Sequence, residues 1–292
     1  MTTIFCDWGT TNLRAYFLEN GEVSEEYASD NGLIQAREIG FAKVLGEVLT
    51  HFDAPVSTPI YLSGMIGSKH GWKEAPYTPT PAGVNELKNN FVSVEEIPNV
   101  KIFGGVSSTN LAAKKDVMRG EEVQILGIVS KFPHINKVCL PGTHSKWAAI
   151  NDGKIDSFST WMTGDLFNSL SKHTIFKEQI HSECFSNDAF NKGVEEAKQA
   201  GPLLNSIFHL RTDYLFAEVS GDDFHSYLSG FLIGSEIKAA HEGSSEVIVC
   251  GSETMMDLYS KAMRHFGIKA IELPASEATV IGMKKLSESA NG

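Results

Sequence analysis

The sequence predicts an α/β protein whose chain is built twice on one plan, and two observations carry that prediction. Strand-like apolar runs alternate with segments of helical spacing, the order typical of α/β folds. Two segments also repeat one layout: "TIFCDWGTTNLRAYFL" from Thr3 to Leu18 and "KVCLPGTHSKWAAI" from Lys137 to Ile150. Each is an apolar run, a small polar turn and a second strand-like run.

Bulk properties narrow the function classes. With 292 residues and 42% hydrophobic content, the chain can bury a large core or form two adjoining domains. A formal net charge of -11 without a long Lys/Arg run disfavours nucleic-acid binding. The sequence shows neither a membrane-length apolar run nor a secretory signal, which favours the cytoplasm. The cysteines, Cys6, Cys139, Cys184 and Cys250, form no CxxC pair, so we expect reduced core residues.

The elements of the first half follow from spacing. Apolar residues from Phe41 to Phe52 recur at helical spacing and predict a helix. "PIYLSGMIGS" from Pro59 predicts a buried strand ending in a glycine loop, and "VKIFGG" from Val100 predicts another strand. "PYTPTPAG", from Pro76 to Gly83, holds three prolines and can be neither a regular helix nor a central strand. It is an ordered loop over a cleft or a plain connector, and both stay open.

The second half continues the alternation to the end of the chain. We expect five helices: from Asp165, over Asn187–Gln199, over Asp223–Ala240, over Glu253–Phe266 and near Glu277–Ser287. The strand "EVIVC" precedes the helix that begins at Glu253. The expected domains are 1–130 and 131–274, and the last helix, about 275–292, can pack back on the first domain.

The first repeated turn has features that suit a phosphate. Asp7 ends an apolar run, and a carboxylate there can hold hydrated Mg²⁺. The N–H groups and hydroxyls of the turn can face phosphate oxygens; its residues are Gly9, Thr10, Thr11 and Asn12. The alternative is an ordinary hairpin in which Asp7 caps the turn.

A second turn and a late loop strengthen the nucleotide hypothesis. Gly142, Thr143, His144 and Ser145 follow a strand in the second repeat, and two such turns are more specific than one. In "VIVCGSETMMDLY", Gly251 and Ser252 join a strand to a helix, so an adenosine can lie at that helix N-terminus. A simple strand-to-helix turn explains the loop equally well.

Small residues recur in "YLSGFLIGSEI". Ser229, Gly230 and Gly234 fall at helical spacing, which predicts a helix packed closely against a neighbour. A hinge contact is the alternative.

Six segments together resemble one family. They are "DWGTTNLRAY", "GMIGSKHGW", "MRGEEVQILG", "PGTHSKW", "MTGDLF" and "LSGFLIGSE". In this order they resemble the 2-dehydro-3-deoxygalactonokinases, within the acetate and sugar kinase, Hsp70 and actin superfamily. The resemblance runs from Asp7 to about Gly282. It implies two ribonuclease H-like (actin-like ATPase) domains facing a central nucleotide cleft.

The resemblance also implies a reaction: transfer of the ATP γ-phosphate to the terminal 6-hydroxyl of 2-dehydro-3-deoxy-D-galactonate, in galactonate catabolism. ATP would contact the Asp7 to Asn12 turn, the Gly142 to Ser145 turn and Gly251-Ser252. One departure is Pro141, because many superfamily members carry an acidic residue at that place. Asp7 would then contact the metal largely alone, with Lys146 or His144 neutralising phosphate charge.

Three carboxylates are candidates for the residue that takes the hydroxyl proton. Glu121 and Glu122 begin an apolar helix, and exopolyphosphatases of the superfamily carry a similar Glu-rich helix start with a catalytic glutamate. The alternative is that both only complement the helix dipole. Asp165 is the runner-up, and the sequence does not rank the two glutamates.

Substrate binding follows from the acceptor being a sugar acid. A planar guanidinium binds a carboxylate bidentately, and Arg119 is preferred over Arg14 because it adjoins the glutamates. Further candidates are Gly64, Gly67, Ser68 and Trp72. Two other functions stay open: a kinase of another sugar or keto-deoxy acid, such as the gluconate epimer, and a nucleotide-dependent sensor. A homodimer is also left open.

Overall fold

The computed structural model describes residues 2–55, 57–97, 99–110 and 113–290. The strands are β1 (Thr2–Trp8), β2 (Leu13–Glu19), β3 (Glu22–Ser29), β4 (Ile60–Gly64), β5 (Thr78–Pro79), β6 (Phe91–Ser93), β7 (Val100–Phe103), β8 (Val106–Thr109), β9 (Lys115–Met118), β10 (Lys137–Leu140), β11 (Ser145–Asn151), β12 (Lys154–Trp161), β13 (Glu246–Gly251) and β14 (Lys269–Pro274). The helices are α1 (Leu33–Ile39), α2 (Phe41–His51), α3 (Val84–Leu87), α4 (Glu121–Lys131), α5 (Thr163–His173), α6 (Asn187–Gln199), α7 (Leu203–Leu215), α8 (Phe224–Ala240), α9 (Glu253–His265) and α10 (Ala275–Ala290). Within the described ranges no helix is long and apolar enough to cross a membrane.

The chain divides into two compact units. The first comprises Met1–His134, Ala149–Phe158 and Ala275–Gly292, and the second comprises Ile135–Ala148 and Ser159–Pro274. Helix α10 therefore belongs to the first unit, where it packs along α4. The tip of the β11–β12 hairpin also belongs to the first unit, which the sequence did not predict.

The two main sheets repeat one strand order. The first runs β3-β2-β1-β4-β7-β6, and the second runs β12-β11-β10-β13-β14. In the first sheet β1, β4 and β7 are parallel, and in the second β10, β13 and β14 are parallel. A three-strand meander extended by two parallel strands thus occurs twice. This confirms the predicted duplication and the ribonuclease H-like α/β class.

The opening segment is an antiparallel hairpin. Strands β1 and β2 pair from Thr2 opposite Glu19 to Trp8 opposite Leu13, so Asp7 lies opposite Arg14. The turn closes through a 2.9 Å hydrogen bond from the Gly9 N–H to the Asn12 carbonyl. Strand side chains such as those of Cys6 and Leu13 are buried, whereas Thr10, Thr11 and Asn12 are exposed. The apolar runs build the sheet and leave the turn accessible.

Most predicted helices and strands are confirmed. Helix α2 buries Val44, Leu45 and Val48 against the first sheet, and β4 is buried along its whole length. Helix α6 spans the predicted residues, and α5 begins two residues before Asp165. Periodicity located α2 and α6 because each buries one apolar face, and β4 because it is a continuous apolar run.

Helix α8 packs very closely against α6, as its small residues predicted. A Cβ added to Gly230 would lie 2.0 Å from the Phe190 carbonyl oxygen, and one added to Gly193 would lie 2.2 Å from the Tyr227 carbonyl oxygen. No real Cβ tolerates either distance, so the two helix backbones touch through glycine.

We expect Gly230→Ala to lower the apparent unfolding midpoint markedly, because the helices must separate to admit the methyl group. Overpacking of this kind costs about 1–3 kcal/mol. The matched variant is Gly46→Ala in α2, where nothing lies within 4 Å of the added Cβ. That change should raise stability by up to about 1 kcal/mol through helix propensity. Equal midpoints for the two variants in thermal denaturation would contradict the packing argument.

Several parts of the structure differ from the sequence predictions or were not predicted, among them α1, β12 and β14. Cys184 is exposed, whereas Cys6, Cys139 and Cys250 are buried as expected, and all four are free thiols. Helix α7 was not predicted, and its Leu204 and Phe208 side chains are exposed. The small sheet β5-β8-β9 was also missed, because its strands are two to four residues long. The Pro-rich segment supplies β5 at the edge of that sheet, where proline is tolerated.

Candidate active site

Asp7 lies where three backbone segments of the first unit meet. It is the penultimate residue of β1 and pairs with Ser63 of the parallel strand β4. A Cβ on Gly64 would lie 2.7 Å from the Trp8 carbonyl oxygen and 3.4 Å from Asp7 Oδ1. Gly64 also has a φ of 93°, a conformation that favours glycine. The glycine therefore lets backbone approach the carboxylate closely.

Helix α4 begins beside this carboxylate. A Cβ on Gly120, the residue before α4, would lie 3.2 Å from the Gly64 Cα and 4.0 Å from Asp7 Oδ1. Gly120 has a φ of 107°, so the chain turns sharply into the helix. The N-terminus of α4 therefore comes close to Asp7, which brings the two predicted acidic positions together.

Glu121 and Glu122 differ in their surroundings. Glu121 is half-buried, and its Oε2 accepts the Arg119 N–H at 2.9 Å. Glu122 is buried, and its two oxygens accept the Gly120 N–H at 2.9 and 2.7 Å. Glu121 is thus the glutamate that solvent reaches.

Burial changes the protonation of two carboxyl groups here. It raises the pKa of Asp7 to about 6; the Arg14 guanidinium opposes this rise, and the Glu121 carboxylate adds to it. Burial also raises the pKa of Glu122 to about 8, with a further contribution from Glu121. Glu122 is therefore mostly protonated at neutral pH, whereas Asp7 is mostly ionised.

We expect Glu122→Gln to raise the apparent unfolding midpoint at pH 8. An acid with a raised pKa binds more protons folded than unfolded, so its contribution to stability falls as pH rises from about 4.5 to 8. Glutamine has nearly the same shape and cannot ionise, so it avoids the cost of burying a charged carboxylate. Each kcal/mol gained should raise the unfolding midpoint by roughly 2–4 °C. The gain should vanish near pH 4.5. A gain that is independent of pH, measured by thermal scans, would contradict the assignment.

Arg119 is buried beneath the Pro-rich segment. Its Nη2 donates to the Ala75 carbonyl at 2.8 Å, and its guanidinium carbon lies 4.3 Å from the centre of the Tyr77 ring. Its Nε and Nη1 are buried and have no hydrogen-bond partner in the part of the chain that the structure describes. Buried donors are normally satisfied, so these two unpartnered donor nitrogens suit an anion.

The other predicted substrate residues lie in the same unit. A Cβ on Gly67 would lie 3.0 Å from Arg119 Nη1, so Gly67 packs directly on that guanidinium. The hydroxyl of the next residue, Ser68, is buried and has no partner within the described ranges. Trp72 is half-buried and stacks on Phe41 with ring centres 6.1 Å apart. Arg14 is exposed.

The second unit contains a cavity of about 700 Å³. This volume is typical of small-molecule sites. Its wall combines the second repeated turn, the first turns of α5 and α9 and one face of α8. The lining residues are Gly142, Thr143, Thr163, Gly164, Phe167, Asn168, Phe185, His225, Ser226, Ser229, Leu232, Ile233, Thr254, Met255, Asp257, Leu258 and Tyr259.

In each unit the N-terminus of a helix donates a hydrogen bond to the repeated turn. In the first unit the Leu33 N–H at the start of α1 donates to the Gly9 carbonyl at 2.9 Å. In the second, the Asp165 N–H at the start of α5 donates to the Thr143 carbonyl at 3.2 Å. The helix fixes the carbonyls of each turn. Both turns are therefore held in one conformation by helix N–H groups.

The late loop behaves as a helix start. Ser252 caps α9, its side chain accepting the Met255 N–H at 3.4 Å. A Cβ on Gly251 would lie 3.3 Å from Pro141 Cγ, so the loop lies against the start of the repeated turn. This meeting is expected because β10 and β13 are parallel and their carboxyl ends share one edge of the sheet.

Comparison with known proteins decides the family. The family model described as 2-keto-3-deoxy-galactonokinase matches residues 7–286. The chain belongs to this family. It is 35% identical to the Rhizobium meliloti (strain 1021) protein named "Probable 2-dehydro-3-deoxygalactonokinase DgoK1", covering 95% of this chain and 94% of that one. It is 30% identical to the 2-dehydro-3-deoxygalactonokinase of Escherichia coli (strain K12), covering 97% of each.

A solved structure agrees with this assignment. The crystal structure of a protein described as a 2-dehydro-3-deoxygalactonokinase from Sinorhizobium meliloti superposes with a TM-score of 0.90 at 33% identity, covering 99% of this chain and 98% of that one. The galactonokinase family is a kinase family, so the chain is a phosphotransferase with an alcohol acceptor that uses ATP.

The cations predicted near the second turn of this galactonokinase-family chain already have protein partners. His144 Nε2 lies 2.6 Å from Asp165 Oδ2, and both side chains are partly exposed. Lys146 is buried, and its Nζ donates to Thr160 Oγ1 at 2.7 Å. Of the two, His144 is the one that solvent reaches. Asp165, the alternative base, is thus a hydrogen-bond partner of His144 in the second unit.

Sequence reasoning missed one polar network in the second unit. Glu236 on α8 is buried and accepts hydrogen bonds from Trp147 Nε1 at 2.7 Å and Tyr259 Oη at 2.8 Å. The segment "LSGFLIGSE" contains Glu236, but helical spacing marked only its small residues. A glutamate within an otherwise apolar helix was the available signal.

Proposed function

We propose that this chain is the ATP-dependent kinase that phosphorylates the 6-hydroxyl of 2-dehydro-3-deoxy-D-galactonate in galactonate catabolism. The observation that carries the proposal is similarity over nearly the whole chain to proteins named for this activity, at 30% and 35% identity. Two sites, one in each unit, supply the chemistry: the cavity of the second unit and the carboxylates of the first. The cytoplasmic location and the homodimer stay predictions.

The cavity of the second unit suits ATP. Its apolar side chains, among them Phe167, Met255 and Leu258, can enclose a purine, and the α9 N-terminus can face a ribose or phosphate. Gly142 and Thr143 offer backbone and hydroxyl donors on the same wall. Phosphates bind readily where helix N-termini and small turn residues meet.

The first unit suits a magnesium ion at Asp7. Mg²⁺ usually takes one or two carboxylates and fills its remaining positions with water and phosphate oxygens. The described residues contain no cluster of three or more metal-ligating side chains, but the carboxyl groups of Asp7 and Glu121 lie close enough for Glu121 to raise the pKa of Asp7. This position fits a divalent cation, with Asp7 as the ligand. When bound, the ion would neutralise charge on the transferring phosphate.

We assign the acceptance of the hydroxyl proton to Glu121. Its carboxylate is half-buried and oriented by the Arg119 N–H, and it lies close enough to Asp7 to influence that group's pKa. Glu122 is mostly protonated at neutral pH, and both of its oxygens accept the Gly120 N–H. A base must be accessible to its substrate, and Glu121 is the less buried of the two glutamates.

The sugar acid's carboxylate has a candidate partner in Arg119. Its Nε and Nη1 are unpartnered and lie on either side of Nη2, which donates to Ala75. Each of the two can donate a charge-assisted hydrogen bond to a carboxylate oxygen. Because both atoms are buried, the substrate reaches them only if the segment around Tyr77 shifts from the guanidinium face. Gly67 and Ser68 border the same position, whereas Trp72 and the exposed Arg14 serve as outer contacts.

The test is a substrate panel with ATP and Mg²⁺. We expect turnover with 2-dehydro-3-deoxy-D-galactonate, with phosphorus and carbon NMR showing the phosphate on C6. The gluconate epimer and plain hexoses are the comparison substrates. Faster turnover of a hexose would overturn the acceptor, and ATP hydrolysis that no sugar acid changes would favour a sensor.

A further inference from the structure

The buried carboxylate of Glu236 joins three elements of the second unit. Its side chain lies within helix α8 and is 2% exposed. Oε1 accepts Trp147 Nε1–H of β11 at 2.7 Å, and Oε2 accepts the Tyr259 hydroxyl of α9 at 2.8 Å. The Thr163 side chain at the start of α5 forms a further hydrogen bond with it.

The same network reaches the repeated turn. The Tyr259 hydroxyl lies 3.0 Å from Ser145 Oγ, and Ser145 is the first residue after the Gly142 to His144 segment. The Ser145 side chain also hydrogen-bonds Glu236 itself. One carboxylate therefore sets the position of the turn, the α5 start and α9.

The repeated turn, the start of α5 and helix α9 all line the 700 Å³ cavity, whereas Glu236 does not. Thr163 and Tyr259 contribute directly to its wall, and Glu236, which lines the neighbouring cavity of about 520 Å³, hydrogen-bonds both of them. Burial raises the pKa of Glu236, while the hydrogen bonds from Thr163, Trp147, Tyr259 and Ser145 oppose that rise. A buried carboxylate that accepts several hydrogen bonds holds the donor side chains in fixed positions. Removing its oxygens would leave those buried donors unsatisfied.

We propose that Glu236 is a positioning residue for ATP binding: it holds β11, α5 and α9 in the arrangement that forms the nucleotide cavity, without touching the nucleotide. The proposal rests on the proposed function only in that this cavity binds ATP. Because the hydrogen-bond partners of Glu236 named above all belong to the second unit, we expect its effect to fall on ATP and not on the sugar acid.

The test is Glu236→Gln, assayed for KM of both substrates and for ATP binding by calorimetry without acceptor. The amide presents an NH₂ group to hydrogen-bond donors, so the network loses at least one bond. We expect the Kd and KM for ATP to rise at least about tenfold, since each 1.4 kcal/mol is a factor of ten. The KM for the sugar acid should stay within about twofold.

Tyr259→Phe is a second variant. It removes the hydrogen bonds of the Tyr259 hydroxyl to Glu236 and Ser145 and leaves the other hydrogen bonds of Glu236 in place. Its Kd for ATP should also rise, but by a smaller factor than in Glu236→Gln. In the double variant the rise in Kd should be smaller than the product of the two single-variant factors, since both changes act on one hydrogen-bond network. Should Glu236→Gln not fold, Tyr259→Phe carries the test alone.

Matched controls separate positioning from a general loss of stability. Ser260→Ala removes the 2.6 Å bond from α9 to Glu272, and Lys238→Met removes the bond from α8 to the Ala200 carbonyl. Neither residue lines the cavity. Both variants should keep ATP affinity within about twofold, even where the unfolding midpoint falls.

The outcomes are distinguishable from those of the proposed function. Wild-type protein that binds ATP but phosphorylates no sugar acid would overturn the function and leave the affinity comparison valid. Equal ATP affinity in Glu236→Gln, Ser260→Ala and the wild type would overturn the positioning role. Calorimetry that detects no ATP binding to the wild type would overturn both.

Discussion

Asp7→Asn should lower kcat by about 10²–10³-fold, the size of effect seen when one group that stabilises transition-state charge is removed. Asparagine keeps the shape of the side chain beside Gly64 and Gly120, so the hairpin can fold as before. It removes the charge that we assign to magnesium binding. The measurement is steady-state kinetics over a range of Mg²⁺ concentrations, where the variant should need far more Mg²⁺ for half-maximal rate.

The control for this prediction is Asp53→Asn in the same unit. Asp53 is exposed and has a φ of 46°, a conformation that asparagine also adopts readily. Its rate and Mg²⁺ requirement should equal those of the wild type. If Asp7→Asn behaved like Asp53→Asn, the hairpin would be structural and Asp7 would have no metal role.

Glu121→Gln should lower kcat by about 10²–10⁴-fold, the usual contribution of a general base. The amide cannot accept the proton, but it still accepts the Arg119 N–H, so the start of α4 should persist. Because the base acts in the chemical step, the KM for ATP should change little. Single-turnover measurement of phosphoryl transfer distinguishes this loss from slow product release.

Glu122→Gln ranks the two glutamates. Glu122 is largely protonated at neutral pH, so a neutral amide resembles its resting form, and we expect kcat within about threefold of the wild type. A large loss in Glu122→Gln together with an active Glu121→Gln would transfer the base to Glu122. A large loss of kcat in both variants would indicate that catalysis depends on the two glutamates together.

Much of the architecture was predictable because it depends on local pattern. Helix α2 and strand β4 bury continuous apolar faces, so spacing alone located them. Helix α7 and the sheet of β5, β8 and β9 escaped prediction, since the helix leaves apolar side chains such as Leu204 exposed and the strands are very short. Their positions depend on neighbours that are remote in sequence.

The candidate site was predictable in composition but not in arrangement. The motifs around Asp7, Gly142 and Gly251 identified the turns, and the family comparison agreed with the kinase assignment. Spacing could not rank Glu121 against Glu122, because the difference is burial: one faces solvent and the other is enclosed at the start of α4. It also gave no reason to connect Glu236 with Ser145.

The sequence by itself determined that this protein has two similar α/β halves, each with a small polar turn after its first strand, and that its motifs are those of a sugar-acid kinase family. Only the tertiary structure decided which of its acidic side chains are ionised, which cations are already paired, and that one buried glutamate joins three walls of a cavity. The physical reason is that strand and helix patterns are local, whereas desolvation and hydrogen bonding depend on residues that folding alone brings together.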